Sequence, residues 1–356
     1  MTRRYLILAP ERFAIDAKTA HGVIRYGSDE VVAVVDPTNA GKRVRELLPH
    51  LENDAPIVGS VAEGLQYGPT ALLIGTAPRG GALPPPWRRA VLDAIEARLE
   101  IVSGLHDLLA DDREFAAAAM RSRATIWDVR KPPDVPLFGG AVYGVEAPIL
   151  LTVGNDCAVG KMSVSLELVR AAHAAGKPAA RFVPTGQTGI AIAGWGISVD
   201  RVIADFAPGA AEQLVLYAAS QGGDPIVVEG QGAINHPAYA PVTLALMFGC
   251  APDALILVCE PLRTAIEDYA TPTLSYRRSI EIHEALLATV KPAPVIGVAL
   301  NTRGLSEDRA RAEIARAHDE TGLPADDVVR FGARALYDAI APHLVKRKPL
   351  RADAPA

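Results

Sequence analysis

Short, uninterrupted runs of apolar residues recur along this chain of 356 residues, and segments with apolar residues three or four apart separate them. In the first part of the chain such runs lie at residues 5–9, 31–35 and 71–74, and each is followed by proline or glycine. Runs without polar alternation predict parallel strands that are covered on both faces. A helical spacing extends over residues 87–111, and residues 124–129 predict a further strand. These elements together predict an α/β unit.

The same alternation continues from residue 141 to the end of the chain. The predicted strands are 149–153, 180–183, 226–229, 254–258 and 295–300, and the predicted helices are 163–174, 210–219, 237–248, 280–287 and 307–321. Alternating elements predict a parallel sheet with right-handed crossovers, in which ligands bind beyond the carboxyl ends of the strands.

Between the two halves, residues 130–140 are rich in proline and glycine and follow neither period. This composition predicts an interdomain linker, with a long active-site loop as the alternative. We therefore expect two domains, at 1–140 and 141–356. Residues 75–81 contain three glycines and are interpreted either as a second ligand loop or as a surface turn.

Composition narrows the class of protein. A net charge of −5 argues against a general nucleic-acid binder. The three cysteines have no metal-ligand or disulfide spacing, which fits a reducing compartment. The apolar stretch at residues 5–10 is too short for the core of a signal peptide, and no uncharged apolar run reaches membrane-spanning length, so we expect neither a signal peptide nor a membrane span. We expect a cytoplasmic enzyme that acts on a small molecule, binds neither nucleic acid nor membrane, and forms a homo-oligomer.

One segment between a predicted strand and a predicted helix carries the strongest chemical signal. It is a short loop with a glycine at each end and a lysine directly after the second glycine. Such a loop cradles phosphates, because its amides and the amino end of the helix point at the anion while the lysine adds positive charge. We predict that a phosphate-bearing cofactor is bound by Gly154, Asn155, Asp156, Cys157, Ala158, Val159, Gly160, Lys161, Met162 and Ser163.

The residue after the lysine departs from the pattern of nucleotide-hydrolysing enzymes. Met162 stands where those enzymes have the Ser or Thr that binds magnesium, and a thioether is a poor ligand for a hard cation. The loop therefore predicts phosphate binding without a bound metal, which is what coenzyme A requires. ATP with magnesium is the alternative, and it needs Ser163 or Asp156 as a metal ligand. Cys157 is expected to fill space in the loop, because no histidine is near it in sequence.

Two further residues are predicted to perform acid–base chemistry. Glu229 ends a predicted strand on the same edge as the loop, and His236 directly precedes a proline that opens a predicted helix. A carboxylate can orient or deprotonate an amine, and a neutral imidazole can take a proton near physiological pH. We predict Glu229 or His236 as the general base, and include Asp156 among the catalytic candidates.

Substrate-binding residues are expected around the strand at 180–183. Thr185, Gln187 and Thr188 lie in a segment of small polar residues after that strand. Arg181 and Arg201 are predicted to bind substrate carboxylates through bidentate contacts.

The loop resembles that of dethiobiotin synthetase and its relatives, which read Gly-Thr-Asp-Thr-x-Val-Gly-Lys-Thr; Asn155 replaces the more usual Thr. With the segments at 184–189, 229–232 and 236–239, it resembles a family long catalogued only as a domain of unknown function. That resemblance implies a Rossmann-like amino-terminal domain and a P-loop NTPase-like carboxyl-terminal domain with a parallel sheet. One member with an assigned role is a D-glutamate N-acetyltransferase of the DgcN type.

The family resemblance implies acetyl transfer from acetyl-CoA to the amine of a D-amino acid, with D-glutamate as the expected substrate, in D-amino-acid catabolism. Two alternatives come from other classes of protein. One is a magnesium- and ATP-dependent ligase or kinase like the synthetases, and the other is a nucleotide sensor without turnover.

Overall fold

The computed structural model describes residues 2–76, 78 and 80–346. It divides into two compact units, each built on a parallel six-stranded sheet, which confirms the predicted α/β class. The first unit contains the described residues up to Pro132 together with Gly186–Arg201, and the second contains Pro133–Thr185 and those from Val202 onward. The predicted linker thus spans the point at which the chain leaves the first unit. The second ligand loop predicted at 75–81 includes residues 77 and 79, which lie outside the described residues.

The first unit has a Rossmann-like sheet. Its strands are β1 (Arg4–Leu8), β2 (Glu30–Val35), β3 (Ile57–Val58), β4 (Ala71–Ile74), β5 (Glu100–Ser103) and β6 (Ile126–Asp128). Its helices include α1 (Lys18–Tyr26), α2 (Val44–Leu47), α3 (Val61–Gly64), α4 (Arg88–Glu96), α5 (Arg113–Ser122) and α7 (Gln187–Ala193). The strand order β3-β2-β1-β4-β5-β6 is that of dinucleotide-binding folds.

Residues of β1 show why its sequence is continuously apolar. Tyr5 and Ile7 belong to one buried cluster, whereas Leu6 and Leu8 belong to another. Because successive side chains of a strand point to opposite faces, the sheet is covered on both sides. The run without polar alternation follows from that double burial.

The helix predicted over 87–111 is wrong in its carboxyl-terminal half. Helix α4 ends at Glu96, and Arg98 takes a left-handed conformation with φ 63° before β5 begins. Apolar residues continue three or four apart through β5, so the spacing alone did not reveal the change of element.

This unit keeps the Rossmann strand order without its phosphate-binding turn. Dinucleotide-binding proteins have glycines after the first strand and an acidic residue that binds the ribose at the end of the second. Here no glycine lies between β1 and α1. Asp36, which follows β2, is fully buried and accepts hydrogen bonds from the Glu11 main-chain N–H at 2.8 Å and from Asn39 Nδ2 at 2.9 Å. Its carboxylate therefore ties the β1–α1 connection to β2.

The second unit confirms all five strands predicted after residue 141. Its strands are β7 (Ile149–Gly154), β8 (Arg181–Val183), β9 (Ile226–Val228), β10 (Ala254–Cys259), β11 (Val295–Leu300) and β12 (Ala325–Asp326). Its helices include α6 (Lys161–Ala174), α8 (Ala207–Ser220), α9 (Ala240–Gly249), α10 (Tyr276–Leu287), α11 (Glu307–Thr321) and α12 (Arg334–Ile340). In the part of the chain that the structure describes, no helix is both long enough and apolar enough to cross a bilayer.

The order of the second sheet, β12-β11-β10-β7-β9-β8, places β7 between β9 and β10. The chain first builds the sheet on the β9 side of β7 and then on the β10 side. In open α/β sheets a crevice forms outside the carboxyl ends of the strands at such a reversal. The predicted phosphate loop, which follows β7, lies at this position.

Candidate active site at the carboxyl end of β7

The predicted phosphate loop is the connection between β7 and α6. Its closing turn passes through left-handed conformations at Ala158, with φ 55°, and at Gly160, with φ 110°. Glycine adopts such a conformation without steric cost, which explains the glycine directly before the lysine. Val159 is fully buried and anchors the turn, while Met162 and Ser163 are half-buried on the first turn of α6.

Lys161 is buried behind this loop. Only 6% of the residue is exposed, and Nζ donates a hydrogen bond to the main-chain oxygen of Asp156 at 2.8 Å. Burial lowers the pKa of Lys161 to about 8, because the charged ammonium loses its hydration. The loop thus holds a cation that an anionic ligand would stabilise.

The carboxylate of Asp156 shapes the loop. It is fully buried, and it accepts hydrogen bonds from Cys157 N at 2.6 Å, Glu267 N at 2.8 Å and Arg263 Nη1 at 2.8 Å. Arg263 Nη1 also donates to the Cys157 main-chain oxygen at 2.9 Å, and Nη2 lies 2.7 Å from Glu260. Both oxygens of Asp156 thus hold the loop together, and its predicted roles in catalysis and cofactor binding stay predictions.

Sequence analysis did not identify Arg263 as part of the site. It follows β10 by a few residues, on the sheet edge that carries the loop. Its position shortly after β10, a strand that pairs with β7, is the feature that could have identified Arg263 as a site residue. The sequence did not reveal that β10 lies beside β7.

Glu229 and Thr185, which were predicted to have separate roles, contact each other. Glu229 Oε2 accepts a hydrogen bond from Thr185 N at 3.0 Å, and Thr185 Oγ1 donates to the Glu229 main-chain oxygen at 2.8 Å. Gln231 Nε2 donates to the Thr185 main-chain oxygen at 2.6 Å. Thr185 is fully buried, so its contacts orient the Glu229 carboxylate at the carboxyl end of β9.

Gly230 brings the Glu229 segment against the lysine. A Cβ at this position would lie 1.7 Å from the Thr152 main-chain oxygen and 3.1 Å from Lys161 Cδ. The Gly230 N–H donates to Thr152 Oγ1 at 2.9 Å. Only a glycine allows this approach, which packs the main chain after Glu229 against β7 and the Lys161 side chain.

His236 is held in one orientation just before α9. Only 2% of the residue is exposed. Its Nδ1 accepts hydrogen bonds from the main-chain N–H groups of Ala238 at 3.1 Å and Tyr239 at 3.3 Å. The ring centroid lies 4.5 Å from that of Tyr239 and 5.2 Å from that of Tyr269.

The structure also brings His236 to Cys157, which the sequence analysis did not anticipate. A ring nitrogen of His236, Cys157 Sγ and a carboxylate oxygen of Asp156 all lie within 4.8 Å of one another. These three donors do not fit a metal ion. A metal-bound histidine usually donates a hydrogen bond from its other nitrogen, whereas Nδ1 here accepts two. Burial also raises the pKa of the Cys157 thiol to about 11, and Asp156 is already paired with Arg263.

Two buried amides next to these residues have unpartnered atoms. Neither Asn155 Oδ1 nor the Oδ1 and Nδ2 of Asn235 has a hydrogen-bond partner among the described residues. A buried polar atom without a partner costs roughly 1–3 kcal/mol. Such atoms are rare in native structures and are found where a ligand or water supplies the missing bond. Their position beside the loop and His236 supports a ligand site here.

The remaining predicted substrate-binding residues belong to β8 or to the first unit. Arg181 is the first residue of β8, at the amino end of the strand, whereas the loop follows the carboxyl end of β7. Gln187, Thr188 and Arg201 belong to the first unit. There Thr188 Oγ1 lies 3.0 Å from Thr19 Oγ1. Their roles in binding a substrate stay predictions.

Comparison with known proteins gives matches over nearly the whole chain. A family model described as a domain of unknown function (DUF1611_C), P-loop domain, matches residues 136–337, and a DUF1611_N Rossmann-like domain matches residues 37–132. A protein named D-glutamate N-acetyltransferase from Tritonibacter scottomollicae is 36% identical over 337 residues, which cover 94% of this chain and 96% of that protein. A protein of the same name from Pseudoalteromonas sp. is 36% identical over 280 residues, covering 78% of this chain and 83% of that protein.

A solved structure confirms the architecture. The crystal structure of a DUF1611 family protein from Anabaena variabilis ATCC 29413 superposes with a TM-score of 0.90 and 38% identity, covering 96% of this chain and 100% of that one. The family resemblance predicted from the loop and its neighbouring segments is therefore confirmed. This chain belongs to the DUF1611 family, with an amino-terminal Rossmann-like domain and a carboxyl-terminal P-loop domain.

Proposed function

We propose that this protein is an N-acetyltransferase that moves acetyl from acetyl-CoA to the amine of a D-amino acid, with D-glutamate as the first substrate to test, in D-amino-acid breakdown. The observation that carries the proposal is the 36% identity over 94% of the chain to a protein named D-glutamate N-acetyltransferase. The site geometry supports the same reaction class independently of that name.

The phosphate loop suits a coenzyme diphosphate. Lys161 supplies a buried positive charge behind the loop, and the amino end of α6 adds the partial charge of the helix dipole. Met162 offers no oxygen ligand for magnesium at the position that needs one. A site of this kind favours a phosphate-bearing ligand that reacts elsewhere in its own structure, as acetyl-CoA does at its thioester.

Acetyl transfer requires a neutral amine and a polarised thioester. The amine nitrogen attacks the carbonyl carbon, an oxyanion forms, and the carbon–sulfur bond breaks to release a thiolate, which takes the proton that the base removed from the amine. Glu229 is the proposed base that accepts the amine proton. The residue is 6% exposed and its carboxylate is oriented by the Thr185 N–H, so the carboxylate would meet the amine in a fixed position.

The proposal is tested by ligand binding and turnover together. Purified protein is scanned for its thermal midpoint with acetyl-CoA, coenzyme A, ADP, and ATP with magnesium, since a ligand of the folded state raises that midpoint by mass action. Release of coenzyme A thiol and mass spectrometry of the product then follow with D-glutamate and L-glutamate as matched acceptors. We expect acetyl-CoA to stabilise the protein and D-glutamate to be acetylated faster than its enantiomer.

Two other outcomes would contradict the acetyltransferase proposal. Stabilisation only by ATP with magnesium, with phosphate release and no acetylated product, would favour the ligase or kinase class. Tight nucleotide binding without turnover of any acceptor would favour a sensor.

A further inference from the structure

We propose that His236 acts as a neutral hydrogen-bond donor, through Nε2–H, to an anionic oxygen of the bound acyl donor, and that it is not the general base. This inference rests on the proposed acetyltransferase function. It gives His236 a role different from the one that its sequence context predicted.

The hydrogen bonds at Nδ1 determine where the ring proton lies. Main-chain N–H groups of Ala238 and Tyr239 both point at this nitrogen. If Nδ1 carried a proton, that proton would point at two N–H donors, and both hydrogen bonds to Nδ1 would be lost. The neutral ring therefore carries its proton on Nε2, where no lone pair is left to accept a proton from an amine. A neutral histidine held in this way at the amino end of a helix polarises a carbonyl in triosephosphate isomerase, which illustrates the chemistry.

The ring is rigid enough to aim its donor. It is buried to 2% exposure, tilted against Tyr239 and edge-on to Tyr269. A hydrogen-bond donor fixed before the reaction stabilises a developing negative charge more effectively than a mobile one, because no reorganisation is needed.

The Nε2–H group has no hydrogen-bond acceptor within the part of the protein that the structure describes. The titratable side chains facing the ring are Asp156 and Cys157 of the loop, together with the hydroxyl-bearing rings of Tyr239 and Tyr269. Asp156 is occupied by Arg263, and the Cys157 thiol keeps its proton because burial raises its pKa to about 11. A ring nitrogen of His236 lies within 4.8 Å of Cys157 Sγ and of a carboxylate oxygen of Asp156. The ring is therefore close to the loop, and a ligand that the loop binds can supply the acceptor.

Two oxygens of an acyl coenzyme have the required chemistry. One is a phosphate oxygen held by the loop, and the other is the thioester oxygen, which becomes an oxyanion during transfer. The pantetheine arm separates the two, so a single donor reaches only one of them. Both assignments use the same Nε2–H group, and the measurements below distinguish them.

Two variants distinguish the role of the Nδ1 acceptor from the role of the Nε2–H donor. In His236→Asn the side-chain oxygen can still accept near the Nδ1 position, but no donor reaches the Nε2 position. In His236→Gln an amide N–H reaches towards the Nε2 position while the acceptor at Nδ1 is lost. Loss of one oxyanion donor costs roughly 10²–10³-fold in rate, so we expect a kcat/KM loss of that size for Asn and at least tenfold better retention for Gln.

The proposal would be overturned if both variants lost kcat/KM equally and strongly and if the acid limb of the wild-type pH–rate profile were missing from both. That result would show that His236 is a base. Full activity of His236→Asn would also overturn it. Circular dichroism and the thermal midpoint of both variants establish that they are folded.

Calorimetric titration of coenzyme A identifies the acceptor oxygen. A weaker Kd in His236→Asn assigns the bond to a phosphate, whereas an unchanged Kd with a lowered kcat assigns it to the thioester oxygen. Either result supports the donor role.

A spectroscopic measurement tests the tautomer without any turnover. Protein labelled with ¹⁵N at histidine is compared with His236→Asn, which identifies the His236 signals by their absence. We expect the Nε2–H tautomer at neutral pH, and the Nδ1–H tautomer would overturn the proposal. If no acceptor is acetylated but the Nε2–H tautomer is seen, the acetyltransferase function has failed and the hydrogen-bonding assignment has not.

Discussion

The ammonium nitrogen of Lys161 lies 2.8 Å from the main-chain oxygen of Asp156, within the loop that is proposed to bind phosphate. The contact satisfies one of its three N–H groups, and among the described residues no carboxylate forms a hydrogen bond with this ammonium. A buried ammonium in this state is unfavourable for folding and favourable for binding an anion. Several predictions depend on that balance.

Replacing Lys161 by methionine should weaken coenzyme binding and stabilise the fold. A hydrogen bond to a charged group contributes about 1.5–3 kcal/mol, so we expect Kd for coenzyme A to rise roughly 10- to 100-fold. The lowered pKa of Lys161, about 8 against an ordinary 10.5, corresponds to a cost of about 3 kcal/mol for holding the charge in the folded state. Calorimetry and thermal unfolding measure the two effects, and Lys177→Met on the exposed surface is the matched control. Unchanged affinity would remove the loop from the proposed site.

Coenzyme affinity should fall as the pH rises through about 8. Burial lowers the pKa of Lys161 to about 8 in the free protein, and a bound diphosphate raises it again. Above pH 8, binding must therefore take up a proton, and Kd should rise by up to about tenfold per pH unit. The same group makes the free energy of unfolding increase as the pH rises from about 8 to 10.5, because the unfolded chain binds more protons than the folded one in this range. Titration in two buffers of different ionisation enthalpy measures the proton, and Lys161→Met should show no uptake.

Cys157 should react slowly with alkylating reagents. Burial raises the pKa of its thiol to about 11 from an ordinary value near 9.0, so its thiolate is about 100-fold scarcer than that of a free cysteine at pH 8. We expect the rate of iodoacetamide modification to increase about tenfold per pH unit up to pH 11 and to fall when acetyl-CoA is bound. Peptide mass spectrometry follows the site, with Cys157→Ser as control. Fast alkylation at pH 7 would instead indicate an activated nucleophile.

Gly230→Ala should destabilise the second unit. Its Cβ would lie 1.7 Å from the Thr152 main-chain oxygen, and a backbone atom cannot move aside as a flexible side chain can. We expect a loss of about 3 kcal/mol or more. Gly144→Ala is the matched control, since no atom lies within 4 Å of the added Cβ, and it should change stability by less than about 0.5 kcal/mol. Urea unfolding compares the two, and equal midpoints would contradict the close packing of the Glu229 segment on β7.

Chelation of divalent metals should leave acetyl transfer unchanged. Met162 supplies no oxygen where magnesium would bind, Asp156 is paired with Arg263, and His236 Nδ1 already accepts two main-chain hydrogen bonds. The measurement is the initial rate with and without excess EDTA, after dialysis against metal-free buffer. A rate that falls with EDTA and returns with magnesium would contradict the assignment of the loop to an acyl coenzyme.

Much of the fold could be predicted because it depends on local spacing. The strand–loop–lysine–helix segment and all five predicted strands of the second unit follow from periodicity and from glycine positions over short distances. Glu229 was predicted in the same way at the end of a strand, and it directly follows β9. The error at β5 has the same origin, because apolar residues three or four apart extended from α4 into a strand.

The site's pairings were decided by the tertiary structure. Arg263 reaches Asp156 only because β10 lies beside β7, and His236 meets Cys157 only because the connection after β9 folds back over the loop. Neither the sheet order nor the assignment of 186–201 to the first unit is encoded by local periodicity. The sequence by itself determined the glycine-bounded loop between β7 and α6 and the thioether of Met162 directly after its lysine. Which nitrogen of His236 carries its proton depended on two main-chain amides whose direction only the folded chain establishes.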